Sequence, residues 1–262
     1  MIPIWLTVTF LVTAILYSSV GFGGGSTYTA LLVFSGLQIS FVPIVSLVCN
    51  LTVTSTGTWK SHRAGLYTQS GVWPILACSV PAAFLGGLTP IGDNSLILLL
   101  GVSLLLASIN LGWTALRSSQ PGSPSSGQRP RWIAPTVGIA IGYLSGLVGI
   151  GGGIFLAPVL HFLNWDSPRK IAALATAYIA ANSLAGLAGK LIAHAGSGGL
   201  IDLLAYWPLI PSVLIGSWIG HKFMLGLFPE RLVKGATAAL ILIVAIRLML
   251  RVYGGNSNDL TG

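Results

Sequence analysis

Eight apolar segments dominate this chain and leave it few ways to fold. They run over residues 2–35, 42–60, 71–90, 94–116, 132–162, 169–194, 203–225 and 231–252. A helix needs about 20 apolar residues to cross a hydrocarbon core about 30 Å thick. Lipid offers the backbone no hydrogen-bond partners, so each segment must bond internally as a helix. The charge content agrees: 262 residues carry 13 Lys or Arg and 5 Asp or Glu, and the mean hydropathy is +0.85. A soluble domain would be about one quarter charged. The sequence therefore predicts an all-α polytopic membrane protein with no substantial soluble domain. The first segment has no Lys or Arg ahead of its apolar stretch and no clear cleavage signature, so it is expected to be retained rather than removed as a signal peptide.

The segments fall into two sets of four. Between them, residues 117–131 are rich in Ser, Pro and Gly, the composition of a flexible linker. This divides the chain into a first repeat (1–116), the linker (117–131), a second repeat (132–253) and a polar tail (254–262) expected to be disordered. The halves resemble each other. Gly21-Phe22-Gly23-Gly24-Gly25 matches Gly149-Ile150-Gly151-Gly152-Gly153, and Asn50 and Asn182 follow in the next segment of each half. Trp73-Pro74 and Trp207-Pro208 come next, then Gly86 and Gly220 at the same distance beyond each Pro. Internal duplication is typical of secondary transporters, whose sites lie between the repeats near the midplane.

Topology stays open at this point. Four crossings per half would make the halves parallel and put Lys60, Arg63, Arg117, Arg129, Arg131, Lys190 and Arg251 on one side with both termini. The positive-inside rule then places the termini in the cytoplasm. If each glycine run turns the chain back as a re-entrant hairpin, the crossings per half become odd and the halves invert.

The glycine runs are the candidate site. Each Gly destabilises a helix interior by about 1 kcal/mol relative to Ala, so three in a row should break the helix. Broken backbone is tolerated in a membrane only where protein or an aqueous cavity supplies partners. The helices that restart after the runs would begin deep in the bilayer, with free N–H groups and the positive end of the helix dipole exposed. Two such ends facing one cavity would bind an oxyanion. The small-xxx-small pairs Gly142/Gly146 and Gly216/Gly220 carry no such run, and close helix packing is their default reading.

At these residues the chain resembles the sulfite exporter TauE/SafE family. The resemblance rests on the Gly-x-Gly-Gly-Gly run, on Ala157-Pro158 one turn later, and on an Asn-bearing span ending near a basic His62-Arg63-Ala64-Gly65 corner. It covers nearly the whole chain and is clearest over 142–190. The first half departs from it: Ala30 stands where the second half has Pro158, and nothing there matches Arg169-Lys170. The resemblance implies a transporter of sulfite or a small organosulfur anion, multi-pass in a bacterial inner membrane.

The candidate substrate-binding residues are Gly23, Gly24, Gly25, Ser26, Asn50, Gly151, Gly152, Gly153, Thr176 and Asn182, with Lys60, Arg63 and Lys190 as a cationic vestibule. Buried amides are expensive unless partnered, so the two Asn residues either meet a ligand or fasten helices together. Ser18, Ser19 and Ser145 flank the runs, although such hydroxyls often bond back to their own helix. The net charge of +8 comes from basic residues scattered singly at segment ends, which excludes a nucleic-acid stripe. Cys49 and Cys78 have no metal-site spacing. No catalytic constellation, metal set or cofactor motif emerges, so no enzyme activity or cofactor is expected. The partners are the lipid bilayer and a small sulfur-containing oxyanion, with oligomeric state left open. The acidic residues all fall in loops, at segment ends or in the tail, which leaves no midplane carboxylate for a proton relay. The inferred mechanism is potential-driven export by alternating access. An anion channel or metal-ion carrier of the same architecture is the alternative.

Overall fold

The computed structural model describes residues 3–67, 72–116, 133–162, 168–195 and 202–223, with isolated helical residues between 238 and 250. The linker, the tail and most of the last apolar segment lie outside the described residues. All regular elements among the described residues are helical. They are α1 (Ile4–Val20), α2 (Gly25–Phe34), α3 (Val42–Arg63), α4 (Val72–Leu88), α5 (Asp93–Leu116), α6 (Ile133–Val148), α7 (Gly153–Phe162), α8 (Pro168–Ala193) and α9 (Leu209–Phe223), with 3-10 turns at Ile39–Phe41 and Asp202–Tyr206. Four spans, Ile39–Arg63, Asp93–Asn110, Lys170–Ala193 and Leu203–His221, are long and apolar enough to cross a membrane.

Local chemistry sets the helix limits. Pro3 caps α1, and Pro43 occupies the first turn of α3, where a missing N–H removes no bond. Gly21 ends α1 in the left-handed conformation at φ 85°, its N–H donating to Ser18 O. Lys60, His62 and Arg63 occupy the last turn of α3, where cations oppose the negative end of the dipole.

The first and fifth apolar segments are each two helices rather than one broken span. The rings of Phe10 in α1 and Tyr28 in α2 stack with centroids 4.7 Å apart. Had the helix continued straight, they would lie about 27 Å apart at 1.5 Å per residue. The chain therefore folds back at the glycine run, and α2 descends beside α1. In the second half Gly152 lies against Ile141 and Ser145 of the preceding helix, the same reversal.

The Asn-bearing helices α3 and α8 pack antiparallel. Phe41 meets the ring of His194, Leu47 meets Gly186, Asn50 meets Ser183, and Gly57 meets Thr176. By contrast α1 runs parallel to α9 (Ser212 Oγ donates to Thr7 O at 2.8 Å, and Gly216 and Gly220 lie on Leu11 and Ile15). Helix α4 runs parallel to α6, with Gly138, Gly142 and Gly146 facing Ile75, Ser79 and Ala83. Each of these interfaces joins one half to the other. They are close because their glycines have no Cβ: one added at Gly146 would overlap the Ala83 carbonyl, and one at Gly220 the Ile15 carbonyl. The packing reading of Gly142/Gly146 and Gly216/Gly220 holds.

The molecule thus has two ends. Phe41, Leu88 and His194 mark one, here called the amino-terminal end, and Arg63, Ile133 and Pro168 mark the other, the linker end. Helix α5 starts at the amino-terminal end, where Leu96, Leu100 and Leu104 share a core with Ile39, Leu147 and Val148. Exposed Trp5 and Trp207 lie toward the amino-terminal end and exposed Trp59 and Trp73 toward the linker end, as expected for side chains anchored at membrane interfaces.

This arrangement corrects the grouping of charges. Lys190 lies at the opposite end from Lys60 and Arg63, because α3 and α8 run in opposite directions. Along α8 it stands about 21 Å beyond Thr176, the neighbour of Gly57.

Candidate functional site

The two glycine runs meet in the interior, and their backbone explains why glycine is needed. Gly21 and Gly24 have φ 85°, Gly149 and Gly151 φ 83°, and Gly152 φ 75°, a region that costs other residues about 1–2 kcal/mol. Helices α2 and α7 restart at Gly25 and Gly153, both fully inside the protein. The first N–H groups of a helix have no intrahelical acceptor. Among the described residues no backbone carbonyl accepts from the amides of Gly25, Ser26 or Gly153.

Asn50 sits where the runs converge and is fully buried. Its Nδ2 donates to Ile150 O and to Ser183 Oγ, each at 3.2 Å, so a first-half side chain grips the second glycine run and α8 together. Gly23, Gly25 and Gly151 all crowd this amide, and a Cβ at any of them would strike it. The carbonyl of Ile150 cannot donate, which fixes the amide orientation and points Oδ1 toward Gly23. Oδ1 has no hydrogen-bond partner among the described residues.

Thr176 makes the reciprocal connection. Its hydroxyl bonds Gly21 O in the first glycine run and its own Ala172 O. The hydroxyl is committed to the brace between halves. Ser26 is buried, its Oγ 3.4 Å from the Tyr17 hydroxyl, which also lies 2.8 Å from Thr27 Oγ1. Ser46, one turn before Asn50, donates to Gly25 O at 3.1 Å and receives Thr29 Oγ1 at 2.9 Å.

Asn182 is also fully buried, yet neither amide atom has a hydrogen-bond partner among the described residues. It stands one turn beyond Tyr178, whose hydroxyl donates to Gly138 O at 3.1 Å and lies beside Ser79 and Asn182. Tyr178 and Ser145 both border Gly152, and the Ser145 hydroxyl is likewise buried without a partner.

The cations do not form one vestibule. Lys60 is half-buried near the linker end of α3, and Arg63 is exposed there with its guanidinium 4.0 Å from the Trp59 ring centre. Lys190 is buried at the far end of α8, beside the close contact of Gly87 with Gly186. Repulsion between like charges gives no reason to gather them, and the antiparallel helices keep them apart. Asp93 is exposed in the first turn of α5, where a carboxylate favours the positive end of the dipole.

Sequence reasoning singled out the glycines and both Asn residues but missed Ser46, Ser183 and Gly57. Ser183 directly follows Asn182 and Ser46 precedes Asn50 by one helical turn. Neither matches a landmark in the other half, so the repeat comparison passed over them.

Comparison with known proteins bears on what such an interior serves. Residues 6–248 match the family model of the sulfite exporter TauE/SafE. The chain is 32% identical to a probable membrane transporter protein, y4hK, of Sinorhizobium fredii, over 84% of this chain and 89% of that one. It is 25% identical to the probable membrane transporter protein YunE of Bacillus subtilis, over 94% of both. It also shares 26% identity with the probable membrane transporter protein MamO of Magnetospirillum gryphiswaldense, over 88% of this chain and 42% of that protein. No solved structure matches it. A family match over nearly the whole length, relatives named as membrane transporters, and long apolar helices around a buried polar interior agree: the chain is a multi-pass membrane transporter and belongs to the sulfite exporter TauE/SafE family.

Proposed function

We propose that this transporter exports sulfite or a small sulfonate-like anion by alternating access, with the substrate held at the two glycine breaks. The observation that carries this reading is the meeting of the two buried glycine breaks at Asn50, with Ser145 and Tyr178 against Gly152 and Asn182 one turn beyond Tyr178. Amide and hydroxyl donors in a water-poor interior suit an oxyanion without adding a fixed positive charge that would trap it. An anion leaving a negative-inside cell gains about 2.3 kcal/mol per charge per 100 mV, so export needs no coupling ion.

The architecture favoured is a pair of inverted repeats, each with a re-entrant hairpin, an Asn-bearing helix and a partner helix docked on the other half. Antiparallel α3 and α8 support this, as do the parallel pairs α1–α9 and α4–α6, which exchange roles between the halves. The reading also reverses the expected orientation in a bacterial inner membrane. Lys60, Arg63, Arg169 and Lys170 belong to the linker end, and Arg117, Arg129 and Arg131 lie in the segment joining Leu116 to Ile133. Lys190 alone among the described basic residues marks the other end. The positive-inside rule puts the linker end in the cytoplasm and the amino-terminal end outside.

The test is sulfite efflux from proteoliposomes. Gly24→Leu and Gly152→Leu place a side chain on left-handed backbone beside Tyr28 and Tyr178, and each should abolish flux while the protein still inserts. Flux should follow the imposed voltage and not a pH gradient at fixed substrate speciation. Wild-type flux in both leucine variants would remove the glycine breaks from the site.

A further inference from the structure

The two breaks are built from the same sequence motif but leave different groups free for a ligand. An amide NH₂ has two hydrogens to donate. Asn50 spends both, on Ile150 O and Ser183 Oγ. What it leaves free toward Gly23 is Oδ1, a lone-pair acceptor. The start of α2 also faces a second acceptor, since the Ile150 carbonyl crowds Gly25. An oxyanion brought to that helix end meets two partial negative charges beside the free N–H groups. The Tyr28 hydroxyl over Gly24 is the unpartnered donor on that side, while the unpartnered Ser18 hydroxyl belongs to a side chain packed on Gly220 of α9.

At the second break an amide NH₂ and a serine hydroxyl stay free. A Cβ at Gly152 would meet Ile141, Tyr178 and Ser145, and one at Gly153, the start of α7, would meet Ile179 with the Ala175 carbonyl 3.5 Å away, a looser contact than the Ile150 carbonyl makes at Gly25. The Ser145 hydroxyl and both the NH₂ and the Oδ1 of Asn182 have no hydrogen-bond partner among the described residues, in residues 1% and 0% exposed, and the Asn182 amide lies beside the Tyr178 hydroxyl. An unpartnered buried amide destabilises a fold. Asn182 stands one turn from Tyr178, which borders Gly152 just before the α7 N-terminus, so a ligand at that break is a candidate partner for the amide.

We propose that the breaks divide the work: the start of α7 with Ser145 and Asn182 holds the oxyanion, while Asn50 and the first break brace the halves. This rests on the glycine-break reading above and narrows it from both breaks to the second, adding Ser145 as a ligand. The Ile150 carbonyl, which can only accept, fixes the orientation of the Asn50 amide.

The experiment measures sulfite and methanesulfonate affinity on the purified full chain in nanodiscs, alongside melting temperature without ligand. Ser145→Ala and Asn182→Ala should each weaken binding about tenfold or more, the effect of losing a hydrogen bond to a charged ligand. Their ligand-free melting temperatures should stay the same or rise, since each removes an unpartnered buried group. Asn50→Ala should lower the melting temperature and leave affinity within about threefold. If that variant does not fold, Ser183→Ala, which removes one acceptor of Asn50, should show the same pattern more mildly. Loss of affinity at unchanged melting temperature in Asn50→Ala or Ser183→Ala, or wild-type affinity in both Ser145→Ala and Asn182→Ala, overturns the division. Failure of Gly24→Leu and Gly152→Leu to change affinity would instead overturn the glycine-break reading beneath it.

Discussion

Comparing Gly151→Ala with Gly36→Ala separates two reasons for glycine that are usually entangled. Both residues have left-handed backbone, φ 83° and φ 81°. At Gly36 a Cβ meets nothing within 4 Å, whereas at Gly151 it would displace the Asn50 amide and press on Ile179. Gly36→Ala therefore loses only the backbone term, about 1–2 kcal/mol. Gly151→Ala loses that term and the bonds of Asn50 to Ile150 and Ser183, and leaving a buried donor unsatisfied adds about 1–3 kcal/mol. For a chain of this size each kcal/mol moves the melting temperature by about 2–4 °C. Thermal unfolding in detergent should thus show a fall of about 2–8 °C for Gly36→Ala and about 4–20 °C for Gly151→Ala. In an Asn50→Ala background most of the excess should vanish, because the bonds are already gone. Equal falls in the two single variants, or an excess that survives in the Asn50→Ala background, would refute the brace.

Three other outcomes follow from the packing and the charges. Gly146→Leu and Gly220→Leu should prevent folding, seen as loss of the monodisperse peak in gel filtration, because each side chain would enter a backbone carbonyl of the neighbouring helix. Replacing Lys60 and Arg63 by Gln should slow efflux at low ionic strength and have no effect in 1 M salt, where the Debye length is about 3 Å. Lys190→Gln, buried at the other end, should show no such salt dependence. With native cysteines replaced, Ala64→Cys should react with an impermeant thiol reagent only from the cytoplasmic side and Ala193→Cys only from outside; the opposite labelling would refute the orientation.

Much of this was legible in the sequence, for local reasons. Apolar length and the scarcity of charge are enough to require helices in lipid, whatever the partners. Three adjacent glycines are enough to break a helix, and α1 and α6 do end at those runs because only glycine takes φ near 85° without strain. The buried state of Asn50 and Asn182 also follows from their place within apolar segments.

Direction and pairing were decided by tertiary structure. A glycine break does not say whether the chain continues or turns back; the stacking of Phe10 on Tyr28 shows that it turns. That reversal makes α3 and α8 antiparallel and sends Lys190 to the end opposite Lys60 and Arg63. The bonds that distinguish the two breaks join Asn50 to Ile150 and Ser183, and Thr176 to Gly21, at separations of 100, 133 and 155 residues. Contacts so distant leave no periodic trace in the chain. Two asparagines that look equivalent in the repeat therefore differ in the fold: Asn50 has spent both donors on Ile150 and Ser183, and Asn182 has no hydrogen-bond partner among the described residues.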